Sequence, residues 1–240
     1  MWCIADVAAD LTALIDKYDT LSAPLANAVI GSIAADITET NNAAGESALG
    51  DVIADAQLTA TASVATDEAV VAFMNPGGIR DDLFFAEISG GEAPGKVTYA
   101  EAFSVQPFGN SLVTMTLTGT QIDTLLEQQW VGQASPRILR ASNGLTYTRD
   151  ASEPIGSKVD PGTIKIGEVT VDPGAGYRVT VNSFLADGGD NFSVLTEGTD
   201  RLGGEIDLDA LVTYFGANSP VAPGPQDRIT RLNSLGCSEA

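Results

Sequence analysis

Hydrophobic residues in the first third of the chain follow helical and then extended spacing. Between residues 4 and 18 they recur every three or four positions, which predicts an amphipathic helix that Pro24 is expected to end. Residues 29–37 alternate enough to predict a strand, which a polar loop follows. A second helix is predicted over residues 46–63, where Glu46 would favour the positive end of the helix dipole.

The middle of the chain alternates short apolar runs with glycine-rich loops. Residues 69–74 are all apolar, which predicts a buried strand, and they lead directly into the sequence Asn-Pro-Gly-Gly-Ile-Arg. The period-two spacing of residues 111–118 predicts another strand. Around that strand we expect helices near residues 98–104 and over residues 120–130, and a turn at residues 106–110.

Turn-forming residues are frequent in the second half, where the pattern predicts mostly strands. A strand pair is predicted over residues 137–149, around the turn at Asn143-Gly144. Further predicted elements are strands over residues 163–171 and 177–183, a tight glycine loop over residues 185–190 and a helix over residues 206–215. No change in composition divides residues 25–235. We therefore expect an α+β fold of mixed or antiparallel sheets with packed helices, preceded by a connecting helix.

Composition and charge narrow the class of protein. The 240 residues are 44% hydrophobic and 18% charged, which is typical of a globular domain. No apolar run is long enough to predict a membrane span. The segment Ile4 to Ile15 carries Asp6 and Asp10 and follows no basic residue, so it is not predicted to be a secretion signal. A net charge of −20 argues against nucleic acid as a partner.

The chain contains no histidine, which excludes whole classes of chemistry. Ser-His-Asp and Cys-His catalysis and nearly all transition-metal sites need imidazole, whereas carboxylate sites for Mg²⁺ or Ca²⁺ do not. The two cysteines, Cys3 and Cys237, are not spaced as metal ligands. A disulfide between the two ends and two free thiols both remain open.

Four segments end a predicted apolar element and open into a loop, where ligand-binding groups usually lie. They span residues 45–57, 73–83, 105–112 and 181–192. Together they offer glycine pairs for close backbone approach, rings for a flat ligand, a guanidinium for phosphate and a carboxylate for hydroxyls: Gly77-Gly78, Gly188-Gly189, Phe108, Phe184, Arg80 and Asp190. Taken singly, each of these residues is weak evidence for a ligand-binding site. A loop phenylalanine is more often a core residue, and Arg80 could pair with Asp81 or Asp82 at the surface.

In this order the segments resemble the C-terminal domain of the 5′-nucleotidase family, which includes UDP-sugar hydrolases and ectonucleotidases. The motifs that carry the resemblance are ESALGDVIADA, NPGGIR, VQPFGN and the run from Tyr177 that contains NSFLADGGDNF. The resemblance extends from about Val29 to Leu232 and implies a substrate-binding domain over residues 25–240. Residues 1–24 resemble the linker helix that joins the family's two domains.

The resemblance also implies roles for particular residues. Phe108 and Phe184 would stack on either side of a base, and Asp190 would accept hydrogen bonds from ribose hydroxyls. Arg80 would meet a phosphate. Backbone and amide contacts to the ligand are expected from Asn75, Asn110, Gly78, Gly188 and Gly189.

Two departures from the family pattern limit what this chain is expected to do. The family often has a further arginine on the ESALGD helix. We align that position with Ser63, and residues 57–67 contain no cation. We therefore expect this chain to bind a nucleoside better than a nucleotide. The family's metallophosphoesterase motifs contain histidine and do not occur here. Two divalent metal ions are expected in a separate N-terminal domain rather than in this chain, which alone is expected not to hydrolyse substrate.

The resemblance leaves some alternatives open. Related phosphoesterases act on UDP-sugars or 2′,3′-cyclic nucleotides, and a secreted interaction domain with a decayed pocket would share the same fold. A secreted, periplasmic or cell-surface location is implied by the family, and the expected partners are a nucleoside or nucleotide and the metal-bearing domain.

Overall fold

The computed structural model describes residues 4–63 and 68–233, and side chains from residue 11 onward within them. Cys3 and Cys237 lie outside the described residues. The helices are α1 (Ile4–Ala26), α2 (Ala48–Thr61), α3 (Tyr99–Val105), α4 (Gly119–Glu127), α5 (Ser183–Ala186) and α6 (Asp207–Asn218). The strands are β1 (Val29–Ser32), β2 (Val71–Met74), β3 (Lys96–Thr98), β4 (Ser111–Thr118), β5 (Arg140–Ala141), β6 (Leu145–Asp150), β7 (Lys165–Ile166), β8 (Val169–Thr170), β9 (Gly176–Asn182), β10 (Thr199–Ile206) and β11 (Ile229–Leu232).

These elements form the expected α+β fold. A five-stranded mixed sheet has the order β10-β4-β9-β2-β5, with β2 and β9 parallel and its other neighbours antiparallel. A four-stranded sheet has the order β11-β6-β7-β8, and β1 pairs with β3. Among the helices of the described residues, none combines the length and hydrophobicity that a membrane span requires.

Two hydrophobic cores lie on opposite faces of the five-stranded sheet. Val71 and Phe73 of β2 pack in a core with α4 and the four-stranded sheet, whereas Met74 packs in a second core with α2, α3 and α6. A strand that is buried on both faces needs apolar residues at every position rather than at alternate ones. This explains the unbroken apolar run that predicted β2.

The first predicted helix is longer than its hydrophobic pattern suggested. It continues to Ala26, past Pro24, which lies in its last turn and lacks the backbone N–H that would otherwise donate to the preceding turn. Its apolar residues are not covered by the rest of the described chain, since Leu11, Ile15, Tyr18 and Leu21 are all more than half exposed.

Strand pairing is where the sequence prediction was wrong. The two strands around Asn143-Gly144 do not pair with each other, because β5 joins β2 and β6 joins β7 and β11. Gly144, with a φ of +93°, turns the chain from one sheet into another. The predicted strand over residues 29–37 ends at Ser32, and that over residues 163–171 is two short strands, β7 and β8.

Three strands were not predicted at all: β3, β10 and β11. β10 is exposed at every residue, contains Gly203-Gly204 and pairs only along the edge of the sheet, so its sequence shows no alternation. β11 pairs in parallel with β6 across more than 70 residues of chain. Glu46, expected to act on the α2 dipole, instead accepts hydrogen bonds from the backbone N–H groups of Arg228 and Ile229 at 2.9 and 3.0 Å, which anchors β11.

A buried acidic cluster lies beside that anchor. Arg228 forms a bidentate pair with Asp55, at 2.9 and 2.8 Å, and lies 3.8 Å from Asp51. Neither carboxylate oxygen of Asp51 has a hydrogen-bond partner in the described structure. Burial raises the pKa of Asp51 to about 7, against the opposing effect of Arg228.

We expect Asp51→Asn to change how stability depends on pH. The pKa of Asp51 is raised in the folded state, so the folded protein holds a proton that the unfolded chain releases, and wild-type stability falls as the pH rises from about 4 to about 7. The amide does not titrate. Urea unfolding at pH 4.5 and pH 8 measures the free energy of unfolding of both proteins. From the lower to the higher pH, the difference between variant and wild type should shift in favour of the variant by at most about 4 kcal/mol. Asp16→Asn on the exposed helix α1 is the control, and an equal difference at both pH values would refute the effect.

Candidate functional site

A cavity of about 370 Å³ lies at one edge of the five-stranded sheet. It is lined by Asn75, Gly77, Gly78, Phe108, Asn110, Phe184 and Asp190. Its volume is within the range of small-molecule sites. All seven are among the ten candidate residues that the sequence singled out.

Strand pairing brings these distant residues together. β2 and β9 are parallel, with Phe73 opposite Val181, so the segments that follow both strands leave the sheet at the same edge. β4 begins at that edge, because Leu112 lies opposite Asn182 in the antiparallel pair. The NPGGIR loop, the VQPFGN turn and the segment after β9 therefore meet there.

The two phenylalanines are surface residues rather than core residues. Phe108 is 59% exposed and Phe184 is 46% exposed, and both line the cavity. Gly109, with a φ of +64°, forms the turn that carries Phe108. A Cβ atom on Gly189 would lie 2.5 Å from the ring of Phe184, so this glycine leaves the space in which the ring lies.

Asp190 is held in an unfavourable backbone conformation. Its φ of +54° and that of Asn191, +63°, are in the left-handed region, and Gly188, two residues before Asp190, has a φ of +83°. Such a conformation costs on the order of 1–2 kcal/mol for a residue with a Cβ atom and persists only when other contacts fix it. Gln133 supplies one such contact, because its Nε2 donates to the backbone oxygen of Asp190 at 2.7 Å.

Both carboxylate oxygens of Asp190 also accept hydrogen bonds. Arg137 Nη1 donates to Oδ1 at 2.9 Å, and Asn75 Nδ2 donates to Oδ2 at 2.9 Å. Asn182 Nδ2 in turn donates to Asn75 Oδ1 at 2.9 Å, and Asn182 Oδ1 accepts from the backbone of Leu185. The carboxylate is thus fixed at the cavity wall, and each oxygen retains a lone pair for a further donor.

A second polar group fixes Asn110. Its Oδ1 accepts from Ser183 Oγ at 3.3 Å, and its Nδ2 donates to Asp207 Oδ2 at 3.4 Å. Asp207 is buried at the start of α6, and burial raises its pKa to about 6. Asn110 therefore links the turn that carries Phe108 to both α5 and α6.

The cation beside the carboxylate is not the one that the sequence singled out. Arg80 is exposed and lies outside the cavity lining, with its backbone N–H bonded to Val105. Within the described residues it forms no ion pair with Asp81 or Asp82. Arg137 instead pairs with Asp190 at the rim, and no sequence motif marks it, because the segment after α4 has neither periodicity nor a recognised pattern.

Three further predicted positions lie outside the cavity lining. Gly188 and Gly189 shape the turn that carries Asp190 rather than lining the cavity, and Gly189 also leaves room for Phe184. Ser63 follows α2, whose last residue, Thr61, accepts a hydrogen bond from Ala69 just before β2. It lies at the amino end of β2, roughly 15–20 Å of extended chain from the cavity at the carboxyl end. A cation at that position would not reach the cavity.

The resemblance implied two metal ions in a separate N-terminal domain and none in this chain. Among residues 4–63 and 68–233, no group of three Asp, Glu or Cys side chains is arranged to hold a metal ion. Asp190 is the carboxylate at the cavity wall, and one carboxylate cannot hold a two-metal centre.

The sequence is similar to one protein family and to two long bacterial proteins. The profile described as "5′-nucleotidase, C-terminal domain" matches residues 29–197. The endonuclease YhcR of Bacillus subtilis is 31% identical over 222 residues, which cover 91% of this chain and 16% of that protein. The trifunctional nucleotide phosphoesterase protein YfkN of the same organism is 35% identical over 163 residues, which cover 63% of this chain and 10% of that protein.

A solved structure shows the same architecture. The 5′-nucleotidase precursor from Thermus thermophilus superposes with a TM-score of 0.77 at 33% sequence identity, and the match covers 96% of this chain and 44% of that one. The chain thus spans less than half the length of these relatives. Its sequence and its fold together show that the chain belongs to the 5′-nucleotidase family, as a C-terminal domain of that family.

Proposed function

We propose that the cavity binds the base and ribose of a nucleoside or nucleotide, and that the chain is the specificity domain of a 5′-nucleotidase-type phosphoesterase. The observation that carries the proposal is the exposure of two aromatic rings, Phe108 and Phe184, around one cavity. Exposing large apolar rings to water is unfavourable, and a flat base between them would remove that surface from solvent.

The polar end of the cavity suits a ribose. Hydroxyl groups are donors, and the carboxylate of Asp190 is an acceptor whose position Arg137 and Asn75 fix. Because its orientation is set before a ligand arrives, little conformational entropy is lost on binding. Asn75 and Asn110 add amide groups for the edge of the base or the sugar.

In this proposal, hydrolysis is carried out by another domain of a longer protein. Relatives of this chain are two or more times its length, and the metal ions of a two-metal phosphoesterase do not fit the described residues. The uncovered apolar side chains of α1 suit a connector that packs against a further domain. We extend the family's secreted, periplasmic or cell-surface location to this chain on the same basis.

Truncation of either ring should weaken adenosine binding. Base–aromatic stacking is worth about 1–3 kcal/mol per ring, so Phe108→Ala and Phe184→Ala should each raise the Kd for adenosine about 5-fold to 150-fold in isothermal titration calorimetry. Phe103→Ala removes a similarly exposed ring on α3 and serves as the matched control. If wild-type protein binds no adenosine at millimolar concentration, the cavity is not a nucleoside site, and a decayed pocket becomes the better explanation.

A 5′-phosphate should add little affinity. Arg137 is already paired with Asp190, Arg80 is exposed, and the net charge of −20 repels a dianion. We therefore expect adenosine and its 5′-monophosphate to bind within about fivefold of each other. Arg80→Gln should weaken the monophosphate a few-fold and leave adenosine unchanged. Binding of the monophosphate more than about tenfold tighter would show that these cations form a true phosphate site.

A further inference from the structure

A second cleft lies on the other side of the segment that carries Arg137. It has a volume of about 580 Å³ and is enclosed by residues 130–138, the loop over residues 151–158 and β11. We call it the cationic cleft and define it by Trp130, Ile138, Arg149, Ile155, Lys158 and Arg231. None of these residues lines the nucleoside cavity.

Three cations converge on this cleft in a chain that has few. The sequence contains 12 lysines and arginines against 32 acidic residues, yet Arg149, Lys158 and Arg231 line one cleft. The carboxylate in the lining is that of Glu153, which is exposed. The cleft is therefore locally positive on an acidic protein.

Backbone carbonyl groups hold the three cations in place. Arg149 donates to Ala44 O at 3.1 and 3.0 Å from Nε and Nη2, and Arg231 donates to Ala43 O at 3.0 Å. Lys158 Nζ donates to Glu153 O at 2.6 Å and to Ala151 O at 3.1 Å. Since carbonyl groups carry no net charge, these bonds fix the side chains without neutralising them.

No carboxylate in the described chain forms an ion pair with any of the three. Asp150 lies close enough to Lys158 to interact with its charge, and its oxygens accept hydrogen bonds from Ser152 and Asn233. Asp150 thus offsets part of the charge of Lys158, whereas within residues 4–63 and 68–233 neither Arg149 nor Arg231 forms an ion pair with a carboxylate.

Arg149 shows the electrostatic cost of this arrangement. It is 8% exposed and lies over the ring of Trp130, with its guanidinium carbon 5.5 Å from the ring centroid. Burial lowers its pKa, and the nearby charge of Arg231 acts in the same direction. A buried cation without a counter-charge is unfavourable, so an anion bound beside Arg149 and Arg231 would offset that cost.

We propose that the cationic cleft binds a small organic phosphate. The phosphate would lie among Arg149, Lys158 and Arg231, because guanidinium groups match phosphate oxygens in charge and geometry. The apolar part of the ligand would contact Ile138 and Ile155, of which Ile155 is 65% exposed. A concave site of this volume suits a small molecule rather than a protein surface. The proposal does not depend on nucleoside binding in the other cavity.

Tryptophan fluorescence gives a direct test. The chain has two tryptophans, so Trp2→Phe leaves Trp130 as the single indole reporter, in the wall of the cleft. In this background, phenyl phosphate should change the emission of Trp130 in a saturable manner. It should bind more tightly than inorganic phosphate, which lacks the apolar part, and more tightly than benzyl alcohol, which lacks the charge. No change with millimolar phenyl phosphate would overturn the proposal, and equal binding of benzyl alcohol would remove the role of the cations.

Substitution of the charged residues of the cationic cleft tests whether phenyl phosphate binds there. Lys158→Gln with Arg231→Gln should raise the Kd for phenyl phosphate about tenfold or more, whereas Lys96→Gln with Arg201→Gln, the same change in charge elsewhere, should alter it less than about twofold. Because Glu153 is exposed, Glu153→Gln should leave the fold intact and should tighten binding of phenyl phosphate, which gives a second test if the double variant is destabilised. A response that survives these changes but disappears in Phe108→Ala would place the ligand in the nucleoside cavity and refute the cationic cleft.

Discussion

The parallel pairing of β2 with β9 is the constraint on which the rest of the structure depends. Both strands lie inside the five-stranded sheet, and cores on its two faces fix their register through the burial of every β2 side chain. Because the strands are parallel, the chain leaves both at the same edge. The antiparallel β4 starts at that edge, so three loops from distant parts of the sequence enclose one cavity.

Core packing offsets the unfavourable conformations and exposed rings around the cavity. Asp190 and Asn191 adopt left-handed backbone conformations, and two phenylalanine rings face solvent, all of which is unfavourable in isolation. A chain of amides opposes that cost at Asp190, running from Asn182 through Asn75 to its carboxylate, while Gln133 holds its backbone. Asn182 belongs to β9 itself, so the geometry of the cavity is tied directly to the sheet.

The segment from residue 128 to residue 138 connects the two candidate sites. On one side Gln133 and Arg137 hold Asp190, and on the other Trp130 and Ile138 form a wall of the cationic cleft. The chain carries a net charge of −20, so the cations of this region stand out against an acidic background. Arg137 is paired with Asp190, so of the two sites it is the cationic cleft that presents positive groups where an otherwise repulsive field would discourage an anionic ligand.

The sequence by itself determined the elements whose signals are local. Period-two spacing predicted β4 with both of its end residues, the apolar run predicted β2, and three of the four motif segments contain all seven cavity residues. Only the tertiary structure decided which strands pair, because β5 and β6 are adjacent in sequence yet join different sheets. It also decided that Arg137 rather than Arg80 lies beside Asp190, and that three unrelated cations meet in one cleft. Those outcomes depend on contacts between residues far apart in the chain, and no local pattern of side chains encodes such contacts.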